Sequence, residues 1–174
     1  MVFIRVLSLT LVIYVITSAT LLFAENCYAT DPAILVDRVL VKKSERKLFL
    51  IKDGKRIREY RVSLGDAPVG PKQQQGDEKT PEGHYIIDYR NPHSAYHLSL
   101  HINYPNKNDR AAAKKRGVSP GGDIFIHGVP NGMGLLSSVL VHKDWTDGCI
   151  AVSNSEIEEI WKLVRNGTPI DILP

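Results

Sequence analysis

At 174 residues, with 43% hydrophobic and 24% charged residues, the chain is long enough to bury one core and too short for a second full domain. Its 22 basic and 19 acidic residues leave a formal net charge of +3, too small an excess to point to nucleic acid.

The opening stretch differs from the rest. Residues 1–5 are short and basic, and residues 6–24 are mostly Leu, Val, Ile, Ala and Phe without a charge. This pattern predicts a secretory signal over residues 1–29, cut after Ala24 or Ala29. The same run is near the lower length limit for a membrane anchor, so retention as an anchor stays open. Ala24, Glu25 and Asn26 before Cys27 lack the small-residue pattern of a lipoprotein site. Export sharpens the reading of the two cysteines, because an oxidising compartment favours thiols that are paired or kept free for chemistry. Cleavage after Ala29 leaves Cys149 alone, whereas cleavage after Ala24 permits a Cys27–Cys149 disulfide.

From Asp37 the pattern turns short and alternating. Val39 and Val41 flank Leu40, residues 47–52 follow, and Asp53-Gly54 supplies a hairpin turn. Tyr60, Val62 and Leu64 then share one face of a third strand that ends at Gly65, giving an antiparallel meander. Residues 66–79, rich in Gly, Pro, Gln and charge, predict an exposed loop closed by a turn at Thr80, Pro81, Glu82 and Gly83. A strand resumes over residues 83–89. Another spans residues 96–104, with His97, Ser99, His101 and Asn103 on its polar face. Residues 110–116 predict one or two helical turns, and residues 123–127 a buried strand that carries His127 to its end.

The longest helix is predicted over residues 155–165, where Ile157, Ile160, Trp161 and Val164 recur at spacings of three and four. Ser153 and Glu156 start it as a capping box, and Asn166-Gly167 stop it. Residues 168–174 supply a last strand. The whole is mainly β with one packing helix.

The chemistry concentrates at Asp144-Trp145-Thr146-Asp147-Gly148-Cys149. A cysteine directly after a glycine, in a tight turn before an apolar strand, is presented instead of packed. The glycine permits a bend that aims neighbouring amides at one spot, so the backbones of Asp147, Gly148 and Cys149 form the candidate oxyanion hole. A thiol also needs a base, and His127 and His142 both qualify. His127 is favoured because a strand holds it rigidly. Trp145 suits either stacking on a substrate or packing beside the turn. His97 and His101 suit substrate contact or a polar sheet face. Their strand spacing argues against a metal site, and no cofactor is expected.

Several linked segments, in this order, resemble the L,D-transpeptidase (YkuD-type) catalytic domain over roughly residues 37–174. They are residues 47–51, Val62-Ser63-Leu64-Gly65, residues 80–83, Tyr104-Pro105-Asn106, Ile126-His127-Gly128 and Gly148-Cys149-Ile150. The resemblance implies a mainly β, L,D-transpeptidase-like β-sandwich with one long C-terminal helix and short helical pieces. It implies Cys149 as nucleophile and His127 as proton acceptor and donor, oriented by a backbone carbonyl near Gly128. His101, Gly128, His142 and Trp145 become candidate substrate contacts. The family's usual histidine before Gly-Cys is here Asp147, and its usual following arginine is Ala151. The Asp-Trp-Thr-Asp-Gly-Cys form is similar to a Gram-negative subgroup, some of whose relatives hydrolyse instead of cross-linking. The expected function is thioester chemistry on peptidoglycan stem peptides in the periplasm. Its outcome is cross-linking, attachment of an outer-membrane lipoprotein, or carboxypeptidase or amidase hydrolysis. The alternative from another class is a catalytically silent peptidoglycan-binding module.

Overall fold

The computed structural model describes residues 35–174. The apolar opening stretch, its cleavage sites, any anchor and Cys27 lie outside the described residues.

Strands β1 (Arg38–Lys42), β2 (Lys47–Lys52) and β3 (Lys55–Arg61) form the expected antiparallel meander, but the third strand ends at Arg61 instead of Gly65, because Ser63 and Gly65 leave β2 to bridge Ala151 and Thr146. Asp53 and Gly54 both take positive φ, 49° and 73°, the two-residue turn whose twist suits a hairpin. The alternation is real in β1, where Val39 and Val41 are fully buried; in β2 Leu48 and Leu50 are fully buried too, but so is Phe49 between them, covered by the Arg56 guanidinium 4.3 Å from its ring centre. Each such side chain stabilises the fold by about 1.5–3 kcal/mol relative to exposure.

The remaining strands are β4 (Gly83–Asn91), β5 (Ser99–Ile102), β6 (Ile124–His127), β7 (Ile150–Ala151) and β8 (Pro169–Leu173). They complete one eight-stranded sheet in the order β3-β2-β1-β8-β4-β5-β6-β7. The last strand is inserted between β1, to which it runs parallel, and β4, to which it runs antiparallel. β4 is the corner. Its first residues pair with β8 and its later ones with β5, with a register shift between Ile87 and Tyr89. The sheet therefore curls until its two edges meet, where Ser63, just past β3, exchanges two backbone hydrogen bonds of 2.9 Å with Ala151 of β7. Leu64, Ile87, Leu100, Ile102, Ile126, Ile150 and Ile172 fill the enclosed core.

Helix α1 (Lys107–Arg116) is longer than the one or two turns expected. Asn106 and Asp109 close a capping box at its start, and Gly117 ends it at φ 71°. A short 3-10 turn (Gly134–Leu136) and the four-residue α2 (Ser137–Leu140) follow β6. Helix α3 (Asn154–Leu163) has the predicted Ser153–Glu156 capping box and buries Ile157 and Ile160 against the sheet.

Two local expectations are corrected. The strand read over 96–104 shrinks to β5, because His97 adopts φ 66° and turns its ring to Glu158 (Nε2 to Oε1, 2.7 Å). The 66–79 loop is not simply solvated. Its Lys72 is 8% exposed and paired to Asp77 at 2.8 Å, and Asp77 also accepts the amides of Gln73, Gln74 and Lys79.

Candidate active site

The loop between α2 and β7 is pinned before it reaches Cys149. Arg46, held at φ 52°, donates Nε and Nη2 to the Asp144 carboxylate, which also accepts the Leu64 amide at 2.9 Å. The amides of Trp145 and Thr146 both donate to the Leu64 carbonyl at 3.2 Å. Thr146 Oγ1 then clamps the turn from inside, donating to the Cys149 carbonyl at 2.8 Å and accepting the Gly148 amide at 3.2 Å. Glycine is required at 148. Its φ is 127°, and a Cβ there would sit 2.5 Å from the Lys79 carbonyl of the underlying loop.

Parallel pairing of β6 with β7 sets Ile126 beside Ile150 and His127 beside Ala151, so Cys149 emerges next to Phe125. The Phe125 amide donates to Cys149 Sγ at 3.4 Å, and the thiol donates to the Asp123 carbonyl at 3.5 Å. Among the described residues Cys149 is a free thiol. Burial pushes it up to about 11; the Phe125 amide opposes that, Asp147 and Asp123 add to it, and Lys72 opposes it.

His127 is 4% exposed. Its Nδ1 donates to the Gly128 carbonyl at 2.6 Å, which can only accept, so Nε2 is the unprotonated nitrogen. Burial, the dominant influence, lowers its pKa, and the Gly128 carbonyl partly opposes this. The ring rests against Tyr96 (centroids 4.5 Å apart) and Trp145 (5.8 Å). Thiol and imidazole thus both rest uncharged at neutral pH.

Cys149, His127, Trp145 and Asp147 line one cavity of about 380 Å³, together with Tyr96 and Asp123. Four of the residues expected at the site are placed differently. The Gly148 amide is already engaged by Thr146, so only the amides of Asp147 and Cys149 lack an acceptor among the described residues and could hold an oxyanion. Gly128 serves His127 through its carbonyl, and its own amide is bonded to the carbonyls of Tyr96 and Leu98, which leaves it no donor for substrate. His101 lies outside the cavity with Nδ1 on Asp88 at 2.6 Å. His142 is exposed after α2 and also lies outside it.

Sequence reasoning misses Tyr96 and Asp123. Tyr96 precedes its strand in an irregular stretch. Asp123 holds φ 56° directly after Gly121-Gly122, and that glycine pair is the only signal in the sequence of a special backbone there. The Asp123 and Asp147 carboxylates are both exposed, and neither has a cationic partner within hydrogen-bond distance among the described residues.

Residues 36–172 match the L,D-transpeptidase catalytic domain (YkuD) family. The chain is 31% identical over 133 residues to YafK of Escherichia coli (strain K12), covering 72% of this chain and 46% of YafK. It therefore spans about half the length of the curated relatives it matches. Among solved structures, a variant of the helical cell shape determining protein Pgp2 from Campylobacter jejuni superposes with a TM-score of 0.60 at 29% identity. That match covers 79% of this chain and 46% of Pgp2. Bd1075 from Bdellovibrio bacteriovorus superposes with a TM-score of 0.56 at 30% identity, covering 83% and 50%.

Proposed function

The chain belongs to the L,D-transpeptidase catalytic-domain family, and from that premise we propose that it is a cysteine acyltransferase acting on peptidoglycan stem peptides. One observation carries the reading: a free thiol directly before β7 and a neutral, carbonyl-oriented imidazole at the end of the parallel neighbour β6 line the same cavity.

In this reading His127 Nε2 accepts the Cys149 proton as the sulfur attacks the carbonyl of an L-centred residue of a tetrapeptide stem, typically diaminopimelate. The developing oxyanion is held by the Asp147 and Cys149 amides. The imidazolium returns its proton to the departing D-Ala amine, which leaves a thioester on Cys149. An acceptor amine then attacks the thioester, His127 takes the proton from that amine, and the thiol is regenerated. Because both partners start neutral, proton transfer accompanies attack and no standing ion pair is required.

The unpaired carboxylates of Asp123 and Asp147 favour capture of an amine acceptor over water, since their charge complements its ammonium form, which gives one proton to solvent before the neutral amine attacks the thioester. The side-chain amine of diaminopimelate on a second stem gives a cross-link, and a protein lysine gives an attached lipoprotein. The basic then apolar opening of the sequence supports work in the periplasm, where both acceptors occur.

The test is incubation of the purified protein with disaccharide-tetrapeptides, followed by mass analysis. Free D-Ala together with dimers supports the transferase. D-Ala release with tripeptide and no dimer makes the protein a carboxypeptidase. Unchanged substrate makes it a silent binding module.

A further inference from the structure

Asn154 is the first residue of α3, yet the helix start does not need its side chain. Ser153 already accepts the Glu156 amide, and Glu156 closes the box on the Ser153 amide. The Asn154 side chain turns instead toward the strand end that carries His127. Its Oδ1 accepts the Val129 amide at 2.9 Å. Only an acceptor can meet an N–H, so the oxygen is the atom that faces Val129.

That amide belongs to the peptide unit whose carbonyl is Gly128 O, the acceptor of His127 Nδ1–H at 2.6 Å. In a trans peptide the C=O and N–H point to opposite sides of one rigid plane. The plane is therefore gripped at both ends, by Asn154 on the amide and by His127 on the carbonyl. Hydrogen bonds linked through a peptide also polarise one another, so the Asn154 contact strengthens the Gly128 carbonyl as an acceptor. Space around the unit is tight. A Cβ on Gly128 would fall 2.6 Å from Asn154 Oδ1 and 3.1 Å from the Tyr96 carbonyl. The same short segment that leaves Cys149 also holds the base a second time, because the Val152 amide donates to the His127 carbonyl at 2.9 Å.

We propose that Asn154 is the positioning residue for His127: its Oδ1 fixes the Gly128–Val129 peptide, which keeps the proton on Nδ1 and leaves Nε2 as the base. This rests on the reading of Cys149 and His127 as the acyl-transfer pair, but its main readout needs no substrate. Nitrogen-15 NMR of the His127 ring in the full chain reports the tautomer directly, for the wild type, Asn154→Leu and Asn154→Asp. Leucine removes the acceptor at similar volume, whereas aspartate keeps it and suits the N-terminus of a helix.

The expected result is a single Nδ1–H tautomer in wild type and Asn154→Asp, and a mixed or Nε2–H population in Asn154→Leu. In turnover of tetrapeptide stems, Asn154→Leu is expected to lower kcat by roughly 10- to 100-fold with KM within about twofold, and aspartate to restore most of it. An unchanged Nδ1–H signal in folded Asn154→Leu overturns the proposal. If Asn154→Leu does not fold, a wild-type tautomer in Asn154→Asp and in Asn154→Ala at equal thermal stability overturns it as well, since alanine lacks the acceptor. A wild type that never turns over stems defeats the transferase reading and leaves the tautomer comparison standing.

Discussion

The backbone amide of Phe125 donates to the sulfur of Cys149 across 3.4 Å, from the strand beside it. That bond favours the thiolate, yet burial outweighs it and the thiol is pushed up to about 11. An exposed thiol titrates near ~8.5, so at neutral pH Cys149 should carry on the order of 10² less thiolate. Alkylation by iodoacetamide should be slow at pH 7 and keep rising with pH to about 11. A rate that levels off between pH 8 and 9 would contradict this environment.

His127 must be neutral to accept a proton, and its pKa is lowered by burial. The acid limb of kcat/KM should therefore fall below the ~6.5 of an ordinary imidazole. The same shift makes folding pH-dependent. The unfolded chain binds a proton there more readily, so the contribution of this group is full above the unfolded value and is lost as pH falls below it. His127→Gln should lower kcat by about 10²–10⁴ and reduce the acid sensitivity of unfolding. Chemical denaturation at pH 5 and 7.5 checks the second effect.

Gly148→Ala should destabilise the protein by roughly 1–3 kcal/mol or more, since it combines a disallowed backbone with a clash against Lys79. Gly132→Ala is the control: its φ is 88° but nothing lies within 4 Å of the added carbon. The backbone penalty alone, about 1–2 kcal/mol, should remain there. Urea unfolding of the two variants separates strain from contact.

Thr146→Val keeps the shape of the side chain but removes both hydrogen bonds that clamp the turn. The buried Gly148 amide would then lack an acceptor, at a cost of about 1–3 kcal/mol. Activity should fall at least tenfold, and Thr146→Ser should recover most of both losses. A fully active valine variant would show that the turn holds its form without the clamp.

Asp147→Asn removes one of the two carboxylates at the cavity and one of the charges that raise the Cys149 thiol. KM for an amine acceptor should rise several-fold, and the salt dependence of acceptor binding should weaken, because the carboxylate is exposed to screening. Equal acceptor kinetics at low and high salt in both proteins would rule out a role for these charges in drawing an amine to the site.

Much of this architecture is readable from period alone. Val39 and Val41 alternate with more exposed neighbours because one face of β1 is buried, and Ser153 with Glu156 announces α3 because capping chemistry is local. Cys149 is legible for the same reason, as a glycine-shaped turn needs only its neighbours. Long-range partners are less so. Nothing in residues 169–173 states that they insert between β1 and β4, and His97 leaves its strand for Glu158, a residue 61 positions away. His142 lies near Cys149 in sequence, but α2 and the Asp144–Arg46 pair carry it outward. Asn154 reads as an ordinary helix start until the Val129 amide is seen above it.

Acyl transfer through Cys149 is tested most directly by the intact mass of the protein mixed with a tetrapeptide stem in the absence of acceptor. Wild type should gain the mass of the tripeptide acyl group on Cys149 while D-Ala is released, and Cys149→Ala should gain nothing. D-Ala release by Cys149→Ala, or turnover by the wild type without any adduct at Cys149 under rapid quench, would contradict it.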